Sequence, residues 1–430
     1  NTTGNENTSV GMLALLNNST AHYNTAVGSH ALNANTTGPE NVAVGLHALK
    51  DNTTGSYNTA VGAQALANNT TAAENIAVGM YSLLTNTTGA SNTALGTYAL
   101  MDNTTGSQNV AIGWKALGDN TTADKNIAVG YQSLAVNTTA TQLTSIGYQA
   151  LDANTTGSHN TALGCWALTN NTTGAANVAI GQNTLPDNTT GDYNVAVGYQ
   201  ALFDHTTGDN SVAVGRNSLY TCTTGNHNVS MGCASLYHLT TGTYNTAIGT
   251  DAGQSITTGT YNVCLGKGAG LNQVATGSNE LWIARDGTGP GNAATWIHGD
   301  GAGACHQGNN STSWSQSSDI RLKKNIVDST KGLAEINQLR VTNFEYRKED
   351  EIDMSEFPLA DEPNQICLND ETKEGVVQTG VIAQEIEAVL PECVETSNKG
   401  AKSITTDPIL WALVNAVKEL SAEVNALKAK

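Results

Sequence analysis

Residues 41–91 read NVAVGLHALKDNTTGSY (41–57), NTAVGAQALANNTTAAE (58–74) and NIAVGMYSLLTNTTGAS (75–91). One 17-residue sentence is repeated with no insertion or deletion between copies. Numbered from the Asn of NVAVG, copies begin at residue 7 and at every seventeenth residue to 262. Position 5 is Gly in all sixteen copies, Gly11 to Gly266; position 9 is Leu in the first fourteen, Leu15 to Leu236; position 14 is Thr in the first fifteen, Thr20 to Thr258. A period of 17 is too short for a pair of helices and suits one coil of a β-solenoid. Any change in the length of one coil would throw its Leu, Gly and Thr out of their ladders. At about 4.8 Å per strand, sixteen coils predict a rod of roughly 75 Å.

Residues two apart share a face of a strand. Val42 and Val44, Thr59 and Val61, and Ile76 and Val78, at positions 2 and 4, are therefore expected to fill the core, joined by the position 9 Leu. Position 3, between them, is Ala, Ser or Cys in every copy (Ala43, Ala60, Ala77, Ser145, Ser230, Cys264). Its constant smallness predicts a second surface packed against sister chains, unless it only relieves crowding in a tight coil. Gly at position 5 and the NTTG stretch are expected to supply the turns. The repeat resembles the N-x-A-x-G repeats in the β-roll heads of trimeric autotransporter adhesins, and that resemblance implies a trimeric β-roll.

Only 13% of the 430 residues are charged and 5% are aromatic, with 44 glycines, a composition that suits a repeat architecture better than an enzyme core. The net charge of −18 is shared between 16 acids and 6 bases in residues 1–317 and 21 acids and 13 bases in 318–430. Such a surface repels phosphates, so nucleic acid is not an expected partner. No apolar run is long enough to span a bilayer, so no membrane insertion is expected. Seven cysteines without C-x-x-C spacing argue against a disulfide framework or a zinc site and fit assembly in a reducing compartment, the host cytoplasm. The chain opens inside a repeat, NTTGNEN, so a further N-terminal part is expected.

The repeat fades where position 9 becomes Gly253 and Gly270. The solenoid is thus expected over 1–284, and residues 285–317, rich in Gly, Ser and Asn, as a neck or β-rich connector. From 318 to 430 charge rises and the period vanishes. GLAEINQL reads as a helix before the strand VTNFEYR; GVVQTGVIAQEIEAVLPECV reads as strand, helix and Pro stop. The closing stretch carries Leu410, Leu413, Val417, Leu420, Val424 and Leu427 at steps of 3 and 4, the a/d seam of a coiled coil able to zip together chains already side by side.

The segments SSDIRLKKNI (317–326) and TGVIAQEIEAVLPECV (379–394), with the terminal helix, resemble the C-terminal intramolecular chaperone of phage tail fibres and endosialidases, a self-cleaving serine–lysine peptidase family that also occurs in some membrane-bound eukaryotic transcription factors. The resemblance implies that Ser318 attacks the bond to Ser317, that Lys323 is the general base and that Asp319 assists. A hydroxyl beside its own carbonyl needs no translational search, and a lysine serves as base once burial lowers its pKa. Residues 348–375, with ten acids and two lysines, are expected to form an extended surface loop.

Within the rod, positions 6 and 7 are enriched in aromatics: Tyr81, Tyr98, Trp114, Tyr131, Tyr148, Trp166 and Tyr199. Stacked coils place them along one edge, which suits sugar rings, though packing at a corner would also account for them. Asp51–Asn52, Asp102–Asn103 and Asp187–Asn188 offer calcium ligands, but turns explain them more simply. The adjacent Thr53 and Thr54 should point in different directions, which argues against an ice-binding face, and no metal or other cofactor is expected. The reading that joins these features is an all-β solenoid followed by a small α+β chaperone, assembled as a homotrimeric viral tail fibre. Its expected partners are a host cell-surface glycan and an upstream virion component bound through the N-terminal part. A bacterial cell-surface adhesin with the same chaperone is the alternative.

Overall fold

The computed structural model describes residues 2–271, 276–284, 295–299, 305–307, 329–344, 355, 378–396, 402–404 and 406–429. They fall into two units, 1–315 and 316–430.

The first unit is the solenoid. Sixteen three-residue strands, β1 (Thr8–Val10) to β16 (Val263–Leu265), one per coil, pair in parallel with a register of 17, so that Val42, Ala43 and Val44 lie beside Thr59, Ala60 and Val61. Outside the strands the backbone also bonds from coil to coil: Leu49 N–H donates to the Ala65 carbonyl at 3.0 Å and Thr53 N–H to that of Thr70 at 2.8 Å. Each coil bends through left-handed residues at positions 5, 7, 9 and 17, as at Gly45 (φ 135°), His47 (57°), Leu49 (52°) and Tyr57 (58°). Position 5 must be Gly, because a Cβ on Gly45 would sit 2.5 Å from the carbonyl oxygen of Gly62. Leucine rarely adopts a left-handed conformation. Here complete burial of the side chain holds it.

The strand faces are the reverse of the expectation. Ala43, Ala60, Ala77, Ser145, Ser230 and Cys264 are fully buried, whereas Val61 and Ile76 are 36% and 43% exposed and Val42, Val44, Thr59 and Val78 are half-buried. Position 3 is small because it lies inside a narrow interior, opposite the small residues of position 8 such as Ala31, Ala48 and Ala65. At two places serine stands on both sides. Ser133 Oγ donates to Ser145 Oγ at 2.7 Å, and Ser218 Oγ to Ser230 Oγ at 2.8 Å. The larger side chains of positions 2 and 4 stand outside.

The asparagines are interior groups as well as turn formers: most position 12 Asn residues also donate Nδ2 across their own turn, as Asn52 to the Gly55 carbonyl at 2.9 Å. At position 12, Asn18 to Asn188 form an unbroken amide ladder, in which each Nδ2 donates to the preceding Oδ1, as in Asn52 to Asn35 at 2.9 Å and Asn69 to Asn52 at 2.8 Å. At position 1, Asn41 accepts from Asn58 N–H at 3.0 Å and donates Nδ2 to the Gly55 carbonyl at 2.9 Å, closing its coil and tying it to the next. This also removes Asn52, Asn103 and Asn188 from the candidate calcium pairs, since all three are fully buried. Thr53 donates its hydroxyl to the Thr70 carbonyl while Thr54 is exposed.

The fading of the repeat has a packing cause. β17 (Leu281–Ala284) pairs with β16 and sets Trp282 beside Cys264, in the column held small in every earlier coil. Gly270 makes the room: a Cβ there would lie 2.9 Å from Cys264 Sγ and 3.5 Å from the indole. Trp282 is 1% exposed, stacks on His298 at 3.9 Å and closes the core. β18 (Thr295–Gly299) and β19 (Cys305–Gln307) continue antiparallel.

The second unit is small. β20 (Thr342–Phe344) pairs with β21 (Gln378–Gly380), and β22 (Val394–Thr396) with β23 (Lys402–Ile404), both antiparallel. Helices α1 (Leu333–Ile336), α2 (Ala383–Val389) and α3 (Thr406–Lys428) complete it. Ile386, Leu390, Cys393 and Ala412 form the core. Glu419 accepts from Leu333 N–H at 2.8 Å and Asn415 donates to the Lys331 carbonyl at 3.0 Å, fastening α1 to α3. Arg340 pairs with Glu385 and Lys402 with Glu387.

The amide ladder ends at His205, which donates nothing to Asn188, so the buried Asn188 Oδ1 has no partner. His205→Asn should add that rung while moving the unmet oxygen to residue 205, so stability at neutral pH should stay within about 1 kcal/mol of the wild type, read as the thermal midpoint. Burial holds the His205 imidazole below its ordinary pKa. The unfolded chain therefore takes up a proton that the folded chain refuses below about pH 6.5, and the wild type should lose stability there as pH falls, a loss the variant lacks. Ala111→Leu should overpack the interior and cost about 1–3 kcal/mol within the coil itself, read by thermal unfolding.

Candidate receptor-binding surface and chaperone unit

Coil stacking lines up side chains that share a motif position at strand spacing, which is close to the separation of stacked rings. Six of the seven rings singled out from positions 6 and 7 form one continuous ladder. Tyr81 stacks on Tyr98 at 5.5 Å, Tyr98 meets Trp114 edge-on at 6.2 Å, Trp114 stacks on Tyr131 at 4.9 Å, Tyr131 on Tyr148 at 5.2 Å, and Tyr148 meets Trp166 edge-on at 5.7 Å. Gln182 and Asn183 then stand at positions 6 and 7, separating Trp166 from Tyr199. Parallel rings about 5 Å apart are offset, each covering part of its neighbour's face. Trp114, Tyr131 and Tyr148 remain 40%, 43% and 45% exposed.

Polar groups flank the central rings. Lys115 follows Trp114 and pairs with Asp119 at 3.2 Å. Burial, then the charge of Asp119, raises the Asp102 carboxyl above its ordinary range; burial raises Asp152 against the pull of Lys115. A strip of partly open ring faces can stack a sugar ring, and the Lys115–Asp119 pair that follows Trp114 in the chain carries groups able to bond hydroxyls.

A second stack escaped the sequence reading. Phe203, Tyr220 and Tyr237, at position 10, lie 5.0 Å apart with planes 2° from parallel, and Tyr244 stacks on Tyr261 at 4.9 Å. The spacing of 17 between these residues was the available signal. Position 10 adjoins position 7 of the preceding coil, since Thr169 donates its hydroxyl to the Gln149 carbonyl at 2.9 Å.

Ser317, Ser318, Asp319 and Lys323 lie outside the described residues, as does the acidic segment 348–375 apart from Ser355. The terminal helix is described. Its inward face is Ala412 and Ala416, 2% and 3% exposed, while all six seam residues, Leu410, Leu413, Val417, Leu420, Val424 and Leu427, are exposed. Cys222 and Cys264 in the rod are buried, which pushes both thiols up to about 12 and leaves them inert. Among the described residues no group of three or more His, Cys, Asp or Glu is placed to hold a metal, and no helix is long and apolar enough to cross a membrane.

Residues 318–395 match the family described as chaperone of endosialidase. No curated protein and no solved structure matches the chain. The matched domain supports a tail-fibre-like role in trimer assembly.

Tyr131 shares a stacked face with both neighbours. Tyr131→Ala should cost about 1–3 kcal/mol, the worth of two aromatic pairs, and shift the Trp114 fluorescence to the red. Unchanged fluorescence and melting would mean that the rings do not form a ladder in solution.

Proposed function

We propose that the chain is one strand of a homotrimeric fibre of a virus infecting bacteria or algae, whose rod carries a receptor-binding surface and whose C-terminal domain assembles the rod and then cuts itself away. The observation that carries this reading is the match of residues 318–395 to the chaperone of endosialidase, directly downstream of a solenoid. The exposed seam of α3 supports it, since an apolar a/d row of this length is stabilised by partner helices and not by water.

Cleavage falls between Ser317 and Ser318, with Ser318 as nucleophile, Lys323 as base and Asp319 assisting. Release of a folding aid leaves the rod trapped behind its unfolding barrier. The ladder from Tyr81 to Trp166, with Tyr199 beyond it, takes the receptor, a host glycan. Its offset rings leave partial faces for stacking, and Lys115, the residue after Trp114, pairs with Asp119.

Wild-type chain should yield a 113-residue C-terminal fragment (430 − 318 + 1) on denaturing gels, while Ser318→Ala and Lys323→Ala remain at 44.6 kDa. Cleavage of Lys323→Ala at the normal rate would assign the base elsewhere. On a glycan array, replacing Trp114, Tyr131 and Tyr148 by Ala should weaken binding roughly a hundredfold, at about 1 kcal/mol per stacked ring. The comparison is made between proteins of equal oligomeric mass and circular dichroism. Equal binding by the triple variant would place the receptor site off this edge.

A further inference from the structure

The outer face of the strands in the rod is uncharged in every coil and mostly apolar. Position 2 is Thr, Val or Ile and position 4 is Val, Ile, Leu or Met, with no charged residue at either in sixteen coils. Ile112, Ile146, Leu163 and Ile180 are 36–42% exposed. Two side chains per coil over sixteen coils, at on the order of 50 Å² of open surface each, make a stripe on the order of 1,500 Å². That is well beyond the few hundred Å² a monomer ordinarily exposes and about twice what one partner gives to a standard interface.

We propose that this face, positions 2 and 4 of each coil, is where three copies of the chain pack in parallel around a common axis, the position 4 row of one copy against the position 2 row of the next. The inference rests on the three-copy fibre proposed above and names the surface that holds it together. One feature selects a copy of this chain as the occupant. The invariant 17-residue step gives parallel copies the same rise, so equal coils stay level along the whole stripe and every coil meets its like.

The test is disulfide cross-linking of the full chain carrying Val110→Cys and Ile112→Cys, under mild oxidation. The wild type, with its half-buried Cys165 and Cys233 at position 6, is the baseline, and Thr105→Cys on an exposed turn is the control. The expected result is a product of three chains, absent from both controls. A product that stops at two chains, or none at all, from a protein whose native mass is three copies overturns the face and leaves the fibre reading standing. A native mass of one copy overturns both. A second variant, Ile112→Lys with Ile146→Lys, puts charge on a surface outside the coil interior. It should keep the circular dichroism of the coils and lower the thermal midpoint of the assembly, whereas a midpoint equal to wild type would count against the face.

Discussion

From Asn18 to Asn188 the rod depends on one bond repeated: an asparagine amide in one coil donating to the amide seventeen residues earlier. A side-chain amide has two donors and two acceptor sites. Buried in a narrow interior, it is stable only if neighbours above and below supply the complement. The position 12 ladder satisfies this by identity, each Asn being both donor and acceptor. The position 1 ladder uses the same group to close the coil on its own backbone. A coil of any other length would place an apolar atom opposite an amide and leave two groups unmet, at about 1–3 kcal/mol each. That penalty fixes the period as far as Asn188; beyond it the backbone bonds between coils keep the same step, as Thr223 N–H to the Thr240 carbonyl at 2.9 Å.

The same narrowness decides which side chains go inside. A three-residue strand offers one side chain to one face and two to the other, and the interior has room for the one. Alanine at position 3 meets alanine or serine at position 8, and the left-handed leucine at position 9 fills what remains. When the column widens at Trp282, leucine has already given way to glycine. Volume is thus conserved coil by coil, as close packing requires, and the larger branched residues are left on the surface.

Much of this was legible in the sequence and some was not. The period, the one-strand coil, the inward Leu49 and the obligatory Gly45 follow from repetition alone. The direction of the strand faces does not. Val42 and Val44 look like core residues by hydropathy, and nothing in an alternation of two says which side is inside until the interior's width is known. Asn52 reads as a turn former for the same reason: its usual local habit is recorded in propensities, while a bond to Asn35 is visible only once the coils are stacked. The ring column from Tyr81 to Trp166 could be placed from spacing, but the offset of its planes could not. In the C-terminal unit α1 and α2 were readable from helix and stop signals and the seam of α3 from heptad spacing, while Ser318, Asp319 and Lys323 rest on motif resemblance.

The identity of successive coils has a consequence for how such a molecule changes. Because each coil presents to the next the same amides, carbonyls and leucine that it receives, a whole coil can be duplicated or lost without altering any remaining contact type. Three nucleotides per residue keep every such event in reading frame. The reach of the rod is therefore inherited in steps of about 4.8 Å, adjustable by recombination between repeats. The capping tryptophan and everything beyond it are carried along unchanged.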